Sequence, residues 1–128
     1  MSEQLRVVRP DDREPADPTP GMARQKAFEA PGLWAGIVDT DPGTASGWHH
    51  HGTHESSLYI LSGTMRFEFG AGGGSAVEAV AGDFVHVPAG VVHRELNPGD
   101  GVCQVVIARA GEGVPTVNVD GPDTAAED

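Results

Sequence analysis

"GDFVHVPAGVVHRELN", Gly82 to Asn97, is the stretch from which the fold is read. "DFVHVP" follows Gly82 as a short β-prone run. Pro88-Ala89-Gly90 carries the residue types of a tight turn, and "VVHREL" leaves that turn as a second run. The same alternation of short run and turn continues outward in both directions. Upstream, Met65, Phe67 and Phe69 alternate with Arg66 and Glu68, the period-two pattern of a half-buried strand. "GAGGGS" then makes a hairpin loop and "AVEAV" returns across it. Gly70 to Gly74 is not a phosphate loop, since no Lys-Ser/Thr follows and no helix opens after it. "SSLYILS" precedes the Gly63-Thr64 turn, and "KAFEA" and "LWAGIVDT" flank Pro31-Gly32. Downstream, "GVCQVVIARA" closes the pattern as a mostly buried strand. Roughly eight or nine strands with a turn about every 8–12 residues predict an all-β sandwich or barrel. No stretch reads as an amphipathic helix longer than about two turns.

The ends differ in character. "RPDDREPADPTPG", residues 9–21, is rich in Pro and Asp and has little to bury, so residues 1–21 read as a poorly ordered arm or an extended strap. Residues 112–128, "EGVPTVNVDGPDTAAED", read as an acidic tail with a disordered end. One folded domain is expected over residues 22–111, consistent with a chain of 128 residues.

Charge narrows the partners. The net charge of −11 disfavours nucleic acid, which needs clustered Lys and Arg, and an anionic membrane surface. No apolar run approaches the ~20 residues of a membrane span. Cys103 is the single cysteine, so no intrachain disulfide forms, and its apolar run marks it as a buried small side chain. The N-terminal residues lack the order of a secretion signal, and a cytoplasmic location is the expectation.

Chemistry concentrates in "GWHHHGTHESSLYILSG", Gly47 to Gly63, which holds four of the six histidines. Residues i and i+2 of a strand share a face, so His49 and His51 can converge on one ion through bonds near ~2.1 Å, while His50 points away. Glu55 follows across the Gly52-Thr53 turn and offers a carboxylate. A further ligand has to come from another strand, where the remaining histidines are His86 and His93.

These two stretches resemble the paired motifs of the cupin family. Gly82 to Asn97 reads Gly, five residues, Pro, one residue, Gly, two residues, His, three residues, Asn, which is the family's second motif with every position filled. Gly43, five residues, His49, one residue, His51, three residues and Glu55 resemble the first. Thr64 to Ala81, the segment between the motifs, has the short length seen in microbial cupins. One departure stands out: Gly63 comes one residue late after Glu55, and an ungapped match from Gly63 puts Ser56 at the glutamate position. The resemblance implies a single-domain jelly-roll β-barrel. It implies one divalent transition metal (Fe, Mn, Ni, Co, Cu or Zn) on His49, His51, Glu55 and His93, with His54 the alternative to Glu55. Such a nitrogen-rich set suits transition metals and not Ca or Mg. His86 reads as a pocket histidine outside the ligand set.

The function implied is a metal-dependent small-molecule enzyme of dioxygenase, isomerase or cyclase type. Its ion would act as Lewis acid or oxygen-activating centre, with Glu55, His54 or His86 as candidate general base. The alternative is a non-catalytic metal-dependent binding or sensing module. The barrel interior is expected to be mostly apolar, with Leu58, Ile60 and one face of Met65–Phe69 inward; Trp34 and Trp48 each read first as packing, with a place at the mouth as the alternative. Homodimerisation is implied too, with Arg24–Ala30 as a candidate edge strand.

Overall fold

A computed structural model describes residues 4–114 and 116–123. Eleven strands are found among them: β1 (Glu14–Thr19), β2 (Met22–Ala30), β3 (Leu33–Thr40), β4 (His49–His50), β5 (Glu55–Ser62), β6 (Thr64–Phe69), β7 (Ser75–Val80), β8 (Phe84–Val87), β9 (His93–Leu96), β10 (Cys103–Ala110) and β11 (Val117–Asn118). They form two antiparallel sheets, ordered β1-β2-β3-β10-β5-β8 and β11-β4-β9-β6-β7. The architecture is a jelly-roll β-barrel.

Alternation decides what the barrel encloses. Ser56, Leu58 and Ile60 of β5 are buried, as are Cys103, Val105, Ile107 and Arg109 of β10. Met65 and Phe67 of β6 meet them from the second sheet, and Val38 and Trp34 of β3 complete the packing. Burial of each large aliphatic or aromatic side chain stabilises the fold by about 1.5–3 kcal/mol. The β6–β7 hairpin is the one expected, closed by a short 3-10 turn at Ala71–Gly73. Gly63, between β5 and β6, has φ +84°, and a Cβ there would lie 2.8 Å from the Cys103 Cα and 2.9 Å from the Val102 carbonyl oxygen. Only glycine fits that corner.

Both terminal segments carry a strand, and one expectation, the edge strand, is corrected. The N-terminal arm carries a strand: β1 pairs with β2 from Glu14 opposite Lys26 to Thr19 opposite Met22. Pro15 is accommodated because β1 is an edge strand, where a missing N–H costs no ladder bond on the open side. Arg24–Ala30 is therefore not an edge, since β2 lies between β1 and β3. The acidic tail also contributes structure. β11 pairs Val117 with His50 and Asn118 with His49, which covers β4. The end of the tail, 124–128, lies outside the described residues. No helix among them is long and apolar enough to cross a membrane.

Candidate metal centre

β4 and β9 set the site. His49 stands directly opposite His93 in their antiparallel pairing. His51 follows β4 by one residue, and its side chain returns to the same side as His49. The three rings are buried, with centroids 4.4 Å apart for His49–His93 and 5.1 Å for each of the other two pairs. One nitrogen from each lies within 4.8 Å of the others.

Their outer nitrogens are fixed from behind. His49 Nδ1 lies 2.9 Å from the Gly47 carbonyl oxygen and His93 Nδ1 lies 2.9 Å from that of Val91. A carbonyl only accepts, so each Nδ1 carries the proton and each Nε2 presents its lone pair. His93 Nε2 is buried and has no hydrogen-bond partner among the described residues. Burial, the main influence on His93, lowers its pKa, which favours the neutral, ligating form. Buried imidazoles with pinned Nδ1 and converging Nε2 atoms are the donor set of a transition-metal site, so these residues fit such an ion.

The other candidates go elsewhere. Glu55 lies on the outward face of β5, beside inward Ser56. Its carboxylate takes the Ala89 N–H at 2.9 Å and bonds His86 Nε2 at 2.6 Å. Those two partners, Ala89 first, hold the Glu55 carboxyl below its usual range. The structure thus does not bring Glu55 to the histidines, because one residue of offset in a strand reverses the face. His54 is buried, but its Nδ1 and its backbone N–H both reach the His51 carbonyl, at 3.1 and 2.9 Å. It is not part of the three-histidine group. His50 faces away from that group, where its Nδ1 accepts the Gly52 N–H at 3.0 Å.

Two inward charges were missed in the sequence. Glu95 follows His93 by two residues on β9, so alternation alone places it on the same face. Its side chain is 14% exposed, and Oε2 lies 3.5 Å from His49 Nε2. Burial pushes its carboxyl up, but attraction to His49, then His93 and Arg24, outweighs this and holds it well below the usual carboxylate range. Arg109 occupies the last inward position of β10, and its guanidinium lies over the Trp34 ring at 5.2 Å. Trp34 is therefore wall packing, and Trp48 lies under Arg94 at 5.0 Å. Neither tryptophan borders the cavity beside the site. That cavity measures about 190 Å³ and is lined mainly by apolar side chains, among them Phe67, Phe69, Val85, Val87 and Val91, with His93 and His86 as its polar groups.

The sequence profile of the cupin domain matches residues 36–109, more than half of the chain, from within β3 to the last inward position of β10. The chain belongs to the cupin family. Solved structures agree on the fold. An oxalate decarboxylase of Bacillus subtilis, as a single-site mutant, superposes with a TM-score of 0.71 at 22% identity, over 83% of this cupin and 30% of that chain. KdgF from Halomonas sp. superposes with a TM-score of 0.69 at 19% identity, over 85% of this cupin and 96% of that chain. The Cnp3 cupin domain of Schizosaccharomyces pombe gives 0.65 at 17% identity, over 71% and 65%. This cupin thus spans under a third of the decarboxylase and nearly all of KdgF. At these identities the likeness is one of fold. No curated protein matches the chain.

Proposed function

We propose that this cupin is a metal-dependent enzyme acting on a small, largely apolar molecule that carries an oxygen donor. The observation that carries the reading is the convergence of three buried imidazoles, one of which, His93, lines an apolar cavity. His49, His51 and His93 would hold a divalent transition metal through Nε2, with Gly47 and Val91 fixing two of the rings. Bound there, the ion would supply Lewis acidity toward a substrate oxygen or, if redox-active, electrons to dioxygen. The oxalate decarboxylase that shares the fold is described with Mn(II) centres, which supports a metal reading without naming the metal here.

The chain's own groups do the rest. A cavity of about 190 Å³ suits a molecule not much larger than a benzene ring, since a cavity of roughly 150 Å³ accommodates benzene. Phe67, Phe69, Val85 and Val91 exclude water from its apolar part. His86 borders the same cavity, and Glu55 orients its ring through Nε2, so the pair can take or deliver a proton at the rim. Isomerase and cyclase reactions that move a proton beside an activated carbonyl use such a base.

The test is elemental analysis of protein purified anaerobically without chelator, followed by assays for metal-dependent turnover of small oxygen-bearing substrates and for oxygen uptake. Near one metal equivalent per chain with product formation is expected. A well-folded protein that neither retains nor takes up metal would end the reading. Substrate-dependent thermal stabilisation without any product would make it a binding module instead.

A further inference from the structure

We infer that Glu95, from the second motif, supplies the carboxylate of the metal site in place of Glu55. The inference rests on the metal reading above and specifies its ligand set. The first observation is the approach of Glu95 Oε2 to His49 Nε2 at 3.5 Å, with His49 buried and Glu95 largely so. His49 donates from Nδ1 to the Gly47 carbonyl, so its Nε2 turns a lone pair toward an anionic oxygen. A proton on Nε2 makes the two an ion pair, and a metal ion between them makes both atoms its ligands. The separation is too long for a charge-assisted hydrogen bond, which closes to about 2.7–2.9 Å. It suits two ligands of one ion: with bonds near ~2.1 Å, neighbouring donor atoms stand roughly 3.0–3.4 Å apart.

The second observation is the backbone that carries Glu95. Its N–H donates to Ser46 Oγ at 2.9 Å, and the Ser46 N–H donates to its carbonyl at 2.8 Å. This clamp holds β9 against the segment that leads into His49, so the backbones that carry the carboxylate and the imidazole are fixed relative to each other. The third is that Glu55 is already engaged by His86 and Ala89 on the outer face. The circle of donor atoms within 4.8 Å contains the three histidines. Glu95 stands at its His49 edge and joins by rotation about its side-chain bonds. Three neutral imidazoles and one carboxylate then complete the set, with the anion delivered from β9.

The test is a titration of the metal-free full chain with Co(II) and Mn(II), read by calorimetry and by the Co(II) visible spectrum. Glu95→Gln is expected to weaken binding at least ~10-fold and to change the Co(II) spectrum. Glu55→Gln is expected to bind as the parent does. Equal affinity and spectrum for parent and Glu95→Gln, or loss confined to Glu55→Gln, would overturn the inference while leaving the metal site standing. A folded parent that binds neither ion would overturn the metal reading itself. Melting of each metal-free variant checks folding. Should Glu95→Gln not fold, Glu95→Asp replaces it: a smaller loss of affinity with an altered spectrum is expected, and parent-like behaviour in both refutes the assignment.

Discussion

Replacing Asn97 by alanine is expected to destabilise the barrel while sparing the metal site. Asn97 closes the second motif and is fully buried. Its Nδ2 donates to the Thr40 carbonyl at 3.0 Å and to the Gly101 carbonyl at 2.8 Å, and its Oδ1 takes the Gly99 N–H at 2.9 Å. One amide thereby ties the end of β3 to the loop between β9 and β10. The truncation strands the Thr40 carbonyl away from water, which costs about 1–3 kcal/mol. Gly99 and Gly101 are exposed enough for water to replace their partner, and each bond then contributes about 0.5–1.5 kcal/mol. The total is roughly 2–6 kcal/mol, a large share of the ~5–15 kcal/mol of a typical domain. Urea denaturation followed by tryptophan fluorescence measures it, with an unchanged m-value as the sign that the end states are the same. Asn97 sits at the far end of β9 from His93, so Co(II) affinity of the folded variant is expected to match the parent. A stability loss below about 1 kcal/mol, or weakened metal binding in a fully folded sample, would refute the assignment of Asn97 as a structural tie.

Three further outcomes are expected. His93→Ala loses metal occupancy and His50→Ala keeps it, measured by elemental analysis after equilibrium dialysis, because only His93 aims a buried Nε2 at the other rings. Gly63→Ala lowers stability by more than the ~1–2 kcal/mol of a left-handed L-residue, since the new Cβ also meets the Cys103 backbone; thermal melts read the loss. Cys103 resists a thiol reagent at pH 8 until the protein is unfolded, because burial pushes its thiol up from 9.0 to about 11. The folded state keeps that proton where the unfolded state releases it, so stability falls as pH rises from about 9 toward 11. Cys103→Ala should remove that part of the alkaline slope.

The barrel was largely legible before the structure. Period-two runs such as Met65, Phe67 and Phe69 named their own inward faces, and Leu58 and Ile60 are buried as alternation from Ser56 requires. The N-terminal strand was not legible, because Pro15 and its acidic neighbours bury nothing. β1 forms only because β2 offers a ladder to pair with, and that tertiary offer leaves no mark on local composition. The same holds for β11, two residues long and defined solely by β4. Of the site, His49 and His51 were found by strand spacing and His93 by the cupin resemblance, and the three are brought together. Glu55 lies apart from them, and the inward carboxylate of Glu95 was passed over, although it stands two residues after His93 and the strand rule applied to β4 was equally valid on β9.

The late position of Gly63 explains why the carboxylate changes strands. Gly63 is held in register by its fit against Cys103, so β5 cannot slide to absorb an extra residue. The extra residue must then appear at the strand's start, where it moves the glutamate from the inward position, now Ser56, to the outward one. A half-step in a pleated strand is a full reversal of face, and no rotamer of Glu55 compensates for it. Outside the barrel the displaced carboxylate acquires a different task, fixing His86 at the cavity rim. Inside, the need for an anion among three neutral imidazoles passes to the strand already paired with His49, where position i+2 from His93 is the nearest inward site. On this argument the two glutamates are linked. A variant that deletes Ser56, so that Glu55 drops into the inward position while Gly63 keeps its register, is expected to restore metal affinity to Glu95→Gln. Failure to do so in a folded double variant would show that the barrel accepts its carboxylate from β9 alone.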